Sequence, residues 1–249
     1  VVTDILDNWV TLSHGSKFHA IFATSSIPEA IQYYRLFKEM GSLKVTALFD
    51  PSIDNNGGAI LKEESLIEIL EDYNSRYGMK FQSAAYGTFK RDVSYRLAHK
   101  EQYKSVERNP EQQIDLLIVV DQMLTGFDSK WINTLYLDKV LVYEKLIQAF
   151  SRTNRLFGPE KPFGTIRYYR KPYTMRRNID EAFKLYSGDK PLGLFADKLE
   201  YNLGKLNELY DEIKAIFHSA GVKNFEKLPE DHTERGQFAK LFKRFNNYL

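Results

Sequence analysis

Ile114-Asp115-Leu116-Leu117-Ile118-Val119-Val120 is the strongest strand signal in the chain. A strand with one wet face alternates apolar and polar residues; this run is almost continuously apolar, as in a parallel sheet covered on both faces by crossover helices. Its neighbours fit that reading. Downstream, Met123-Leu124-Thr125-Gly126-Phe127-Asp128 leads to a second strand, Ile132 to Leu137, then a helix from about Tyr143 to Leu156 and a strand from Phe163 to Tyr169. A helix over Asn178 to Tyr186, stopped by Gly188, follows. Upstream, His19 to Thr24 and Lys44 to Phe49 read as strands. Ser26 caps the helix between them, with Pro28 in its first turn and Gly41 ending it. An irregular loop over 50–58, a helix from Leu61 to Tyr77 and another over Thr88 to Tyr103 complete the alternation of strand and helix that marks an α/β sheet. After Pro191 the pattern changes. Leu199, Leu203, Leu206, Tyr210, Ile213 and Phe217 fall on one side of a helix, and Lys223 to Leu249 also reads as helical. The expected division is therefore 1–190, an α/β domain, and 191–249, the start of a helical one.

Composition narrows the function. The chain has 249 residues, 35 Lys and Arg against 33 Asp and Glu, and no cysteine, which removes disulfides, thiolate nucleophiles and Cys-type zinc sites together. A net charge of +2 excludes gross polycation behaviour, so nucleic acid must be met by local patches. No apolar run is long enough to span a bilayer, and Asp4 and Asp7 stand where a signal peptide would be basic and then apolar. The expectation is a cytoplasmic protein without a membrane partner. The five histidines have no metal-ligand spacing, and no metal site is expected.

Two constellations can carry chemistry. On a helix, Gln148, Arg152 and Arg155 fall within a narrow arc, and two guanidinium groups there suit a polyphosphate because each offers planar forked donors. A solvated helix face with unrelated arginines gives the same spacing. The second is Thr125-Gly126-Phe127-Asp128, expected beyond the carboxyl end of the Ile114–Val120 strand, where open α/β sheets bind ligands. There Gly126 would allow close backbone approach, Thr125 would donate to a phosphate and Asp128 would hold a hydroxyl or an arginine. An ordinary turn with a capping threonine is the plainer alternative.

Taken in order, Thr24-Ser25-Ser26, Met123 to Asp128 and Gln148 to Arg155 resemble motifs IV, V and VI of superfamily 2 helicases. Leu135-Tyr136-Leu137-Asp138-Lys139, with Leu146-Ile147-Gln148-Ala149-Phe150-Ser151-Arg152-Thr153-Asn154-Arg155, Phe163-Gly164-Thr165-Ile166 and Asn178 to Tyr186, resembles the motor (R, restriction) subunit of type I restriction enzymes over about residues 15 to 190. Ser151 stands where many helicases have glycine, Val140 where this branch usually has proline, and Arg167-Tyr168 where it often has an acidic residue.

The resemblance implies a RecA-like parallel sheet with flanking helices, the second of two such domains, followed by a helical region. No Gly-x-x-x-x-Gly-Lys-Ser/Thr loop and no acidic strand-end box is present. ATP and Mg2+ would thus be held mainly by a first RecA-like domain elsewhere in a longer subunit that also carries a nuclease domain, and this fragment alone would be inactive. In the implied mechanism Arg152 and Arg155 reach the γ-phosphate, Gln148 couples them to the sheet, and Gly126 and Asp128 border the nucleotide. Thr24, Ser25 and Thr125 hold the backbone of double-stranded DNA. The whole would act as an ATP-dependent translocase and site-specific deoxyribonuclease, assembled with methyltransferase and specificity subunits. A helicase of another pathway, or a non-catalytic α/β DNA-binding scaffold, is the competing expectation.

One further stretch, Lys161 to Arg177, holds Lys161, Arg167, Arg170, Lys171, Arg176 and Arg177 without an acidic residue, among Phe163, Tyr168, Tyr169 and Tyr173. It reads equally as a DNA-facing ribbon, with Arg176 and Arg177 on phosphates, or as an edge strand whose cations prevent sheet-to-sheet association.

Overall fold

The structure is a computed structural model and describes residues 1–50, 59–120, 122–124, 126–187 and 199–246. The chain divides into two compact units, Val1–Asp189 and Lys190–Leu249. The first is an α/β RecA-like unit. Its five strands, β1 (His19–Thr24), β2 (Val45–Leu48), β3 (Leu116–Val119), β4 (Ile132–Asp138) and β5 (Thr165–Tyr168), are all parallel and lie in the order β2-β3-β1-β4-β5. Every residue of β1 to β4 is buried, the two-sided burial that continuous apolar runs require, whereas β5 is half-buried at the sheet edge.

Flanking helices are α1 (Val2–Leu12), α2 (Ile27–Met40), α3 (Ala59–Tyr77), α4 (Tyr86–Ala98), α5 (Tyr143–Phe150) and α6 (Pro172–Ser187). Local chemistry sets their ends. Ser26 caps α2 by accepting from the Glu29 N–H, and Gly41, at φ +64°, returns its own N–H to Phe37 O at 3.1 Å. Helix α4 stops at His99 in the left-handed region and gives way to short 3-10 turns, so the helix expected through Tyr103 is shorter. The helix expected through Leu156 ends at Phe150, and that expected from Asn178 begins at Pro172.

Helix α1 is an element that the sequence reading passed over. Ile5 and Trp9, four residues apart, are buried in the common core. On its polar side Asp4 accepts from Arg167 at 2.9 Å and from the Tyr169 hydroxyl at 2.7 Å. Arg167, which stands where the resemblance leads one to expect an acidic residue, thus has an acidic partner instead.

Register fixes the two ends of the sheet. Thr24 and Asp138 are paired at the carboxyl edge, His19 and Ile132 at the amino edge. After Val119, level with Ala23 near the carboxyl edge, the chain must return the length of a strand before β4 begins.

In the second unit, α7 (Leu199–Ser219) packs on α8 (His232–Phe245), Ile213 and Phe217 of α7 and the following Val222 lying against Phe238, Leu241 and Phe245. The expected stripe is only partly buried. Leu203 and Tyr210 are exposed, and Leu209, Ile213 and Phe217 form the covered line. The loop at 51–58, the Gly188 stop, the boundary near Pro191 and the Leu199 side chain lie outside the described residues.

Candidate functional site

The two constellations meet, but not where the strand-end rule places them. From β3 the connection passes α4, where the Ser94 hydroxyl faces Met123 Sδ at 3.9 Å and Ser129 Oγ donates to Leu97 O at 2.9 Å. Ser129 is three residues before β4, beside the stacked pair Trp131 and His99, so Asp128 belongs to the amino edge of the sheet. This corrects the expectation that Gly126 to Asp128 overhang the carboxyl end of β3. Gly126 is exposed at φ +69°, a conformation that favours glycine; Thr125 lies outside the described residues.

Helix α5 delivers the arginines to the same corner. Because it ends at Phe150, Arg152 lies in the turn that follows and Arg155 just beyond it. Gln148 keeps its helical position: its amide donates to Glu144 at 2.5 Å, and its backbone carbonyl accepts from Arg152 Nε at 3.1 Å. Arg152 also donates through Nη1 to Phe127 O and through Nη2 to Ser151 Oγ at 2.8 Å. Its guanidinium therefore ties the turn to the Phe127 backbone. Arg155 is different. Its Nε donates to Asp128 Oδ1 at 2.7 Å, while its side chain is 62% exposed and that of Asp128 54%. An exposed guanidinium beside a carboxylate that orients it can present planar donors to an incoming anion.

The turn is braced from behind by Lys161 and Gly164. Lys161, expected in the basic ribbon, is fully buried instead. Its Nζ donates to the carbonyls of Lys130 at 3.1 Å, Ile132 at 2.7 Å and Arg155 at 2.6 Å. Burial pulls its pKa down to about 8, against which these three acceptors favour the charged form. A Cβ on Gly164 would stand 2.3 Å from Thr153 O, so the chain passes flush against the arginine-bearing turn.

At the opposite end of the sheet a second polar cluster assembles. Thr24 is buried, its hydroxyl donating to Val119 O and Ser26 O, both at 3.3 Å, so it has no surface to offer a ligand. Ser25 is exposed; its hydroxyl donates to Asp138 O at 3.1 Å and accepts from Arg170 at 2.9 Å. Arg170 also reaches Glu29 at 3.0 Å and both oxygens of Asp138, and the hydrogen bonds to Asp138 raise its pKa further. The Tyr33 hydroxyl completes the cluster by donating to Asp138 at 2.8 Å. Burial, followed by this bond, raises the Tyr33 pKa.

The ribbon divides accordingly. Arg167 and Arg170 are engaged within the domain, β5 is an edge strand, and Arg176 and Arg177 stand exposed on α6, the latter 3.7 Å from Glu181. Helix α6 starts at the carboxyl edge, directly after β5, so these two cations and Ser25 belong to the same end of the sheet.

Two of the five histidines meet in the core. His19 Nε2 and His99 Nε2 are 2.8 Å apart, and the His99 ring stacks on Trp131 at 3.8 Å. Burial lowers their pKa values to about 3 and about 4. Of the two facing nitrogens one donates and the other accepts, and burial favours the neutral form of both rings. Among the described residues no group of three His, Cys, Asp or Glu is arranged to hold a metal ion, and no helix is long and apolar enough to cross a membrane.

Comparison with known proteins adds an independent observation. Residues 16–171 match the family described as type I restriction enzyme subunit R domain 3. The endonuclease subunit of a type I restriction enzyme from Staphylococcus saprophyticus is 34% identical over 255 aligned residues, covering 98% of this chain and 26% of that protein. A counterpart from Staphylococcus aureus is 33% identical over 227, covering 87% and 23%. The HindI endonuclease subunit of Haemophilus influenzae is 29% identical over 123, covering 47% and 11%. The chain spans about a quarter of the length of the two staphylococcal relatives.

Proposed function

Because the chain belongs to the type I restriction enzyme subunit R domain 3 family, we propose that it is the second RecA-like domain, with the start of a helical domain, of an ATP-driven DNA translocase and endonuclease subunit. The observation that carries this reading is the meeting of Asp128 with Arg155, and of Phe127 with Arg152, across more than twenty residues of sequence. One surface then presents an exposed guanidinium next to a backbone segment that can border a nucleotide.

On this reading ATP lies between this surface and a first RecA-like domain, which holds Mg2+ and the β-phosphate. When bound, ATP supplies the phosphoryl group whose transfer drives movement. Arg155 places fixed positive charge where the γ-phosphate develops negative charge; an arginine supplied in this way contributes roughly 10³ to 10⁵ in rate in well-studied systems. Arg152 keeps the turn registered on Phe127, and Gln148 connects that turn to α5. Asp128 orients Arg155. Duplex DNA lies at the carboxyl edge, where Ser25, Arg176 and Arg177 meet its phosphates without reading bases. The buried Thr24 supports that rim from beneath. Methyltransferase and specificity subunits are the expected partners, the latter selecting the sequence.

The test is ATP turnover by the complete enzyme on duplex DNA, with Arg152→Ala and Arg155→Ala beside the parent. A loss of about 10²-fold or more in Arg155→Ala is expected. Turnover within twofold of the parent in both variants would overturn the assignment. The fragment alone should hydrolyse no ATP.

A further inference from the structure

We propose that Lys161 is a positioning residue for Arg155, its buried ammonium group fixing the backbone of the arginine-bearing turn to the start of β4. The proposal rests on the reading above, in which Arg155 meets the nucleotide.

A buried lysine is ordinarily matched by a carboxylate, since an isolated charge in a low-dielectric interior is costly. Here the hydrogen-bonded partners are three backbone carbonyls, and an ammonium group has three protons to give them. Those carbonyls come from separate segments. Lys130 and Ile132 flank Trp131, with Ile132 opening β4, two and four residues after Asp128, and Arg155 is the arginine itself. One side chain therefore joins the segment bearing the carboxylate to the segment bearing the guanidinium, at its backbone. Around Lys161 the local chain is tight: Phe157 N–H donates to Lys161 O at 3.0 Å and Lys161 N–H to Gly158 O at 3.2 Å. Gly164 then presses on Thr153, two residues before Arg155. The exposed Arg155–Asp128 contact is too weak to hold a turn in place, because exposed ion pairs contribute little. The buried ammonium supplies what that pair lacks, and catalysis by a positioned charge depends on placement to within a fraction of an ångström.

The experiment compares kcat and KM for ATP in the complete enzyme for the parent, Lys161→Met, Arg155→Ala and the double variant. Lys161→Met should lower kcat about tenfold with KM for ATP within threefold, and the double variant should fall no further than Arg155→Ala alone. If Arg155→Ala loses turnover while Lys161→Met stays within twofold of the parent, or if the two losses multiply, the positioning role is overturned and the Arg155 reading stands. If Arg155→Ala keeps its turnover, that reading fails first and the positioning role with it. Should Lys161→Met not fold, the pH profile of kcat between 7 and 9.5 decides. The charged neighbours on the segments around Lys161 are Lys130, Arg155 and the Lys17–Glu160 pair. Loss of the ammonium proton withdraws one donor, so the parent should decline over this interval while the residual rate of Arg155→Ala stays level. Parallel profiles would overturn the proposal.

Discussion

Arg155 Nε lies 2.7 Å from Asp128 Oδ1 although both side chains are more than half exposed. A pair this wet adds at most about 1 kcal/mol to folding, so its effect must be on orientation. Asp128→Ala should leave the urea midpoint of the chain nearly unchanged and lower DNA-dependent ATP turnover of the complete enzyme by about tenfold. Equal turnover in parent and variant would show that the carboxylate orients nothing of consequence.

Gly164 has no room for a side chain, since the Thr153 carbonyl, Cβ and hydroxyl all lie within 2.5 Å of where its Cβ would be. Gly164→Ala should cost about 1 to 3 kcal/mol of stability through overpacking. It should also lower turnover, because the displaced segment carries both arginines. Thermal unfolding and ATPase rates on one preparation check the two effects together.

The His19–His99 pair makes an acid-sensitive point in the core. Both groups have folded pKa values, about 3 and about 4, below the ordinary 6.5. Between those values and 6.5 the unfolded chain binds more protons than the folded one, so this contribution to stability is complete above 6.5 and is lost as pH falls toward 4 and then 3. Melting temperatures measured from pH 7 to 4 should fall less steeply in a His19→Leu, His99→Phe double variant. Identical slopes would exclude the pair as a source of acid lability.

Arg96 is buried and donates to the hydroxyls of Tyr73 and Tyr103, to both oxygens of Gln112 and to Asp92, with its guanidinium 4.0 Å from the Tyr77 ring centre. Removing the cation leaves the buried Asp92 carboxylate without its counter-charge. Arg96→Met should therefore destabilise the first unit by about 3 to 5 kcal/mol. Urea unfolding followed by Trp9 and Trp131, both in that unit, measures it; a change below 1 kcal/mol would contradict this account.

Arg176 and Arg177 are exposed cations in the first half of α6. Reversing both to glutamate should weaken duplex binding by the complete enzyme and flatten the dependence of log affinity on log salt by about one to two units. An unchanged slope would leave β5 and its surroundings as a guarded sheet edge and nothing more.

The fold was legible where burial dominates. Ile114 to Val120 and His19 to Thr24 are covered on both faces, and such strands announce themselves by apolar continuity. Helix α1 was not, because its short apolar face, Ile5 and Trp9, gains meaning only from the sheet that it covers. At the site, residue types were readable and placement was not. Arg152 and Arg155 look equivalent on a helical wheel, yet the helix ends at Phe150 and the turn beyond it gives one arginine to the backbone and the other to solvent. Asp128 was misplaced because a connection from strand to strand carries no mark of which edge it returns to. Lys161 was hidden by composition: among several cations in a row, nothing local distinguishes the one whose neighbours are carbonyl oxygens.

Asp4, in the first helix, is joined to Arg167 and Tyr169, at the last strand of the sheet. This closure spans more than 160 residues, so during synthesis α1 precedes β5 by most of the domain, and the contact that ties them forms only after β5 has followed.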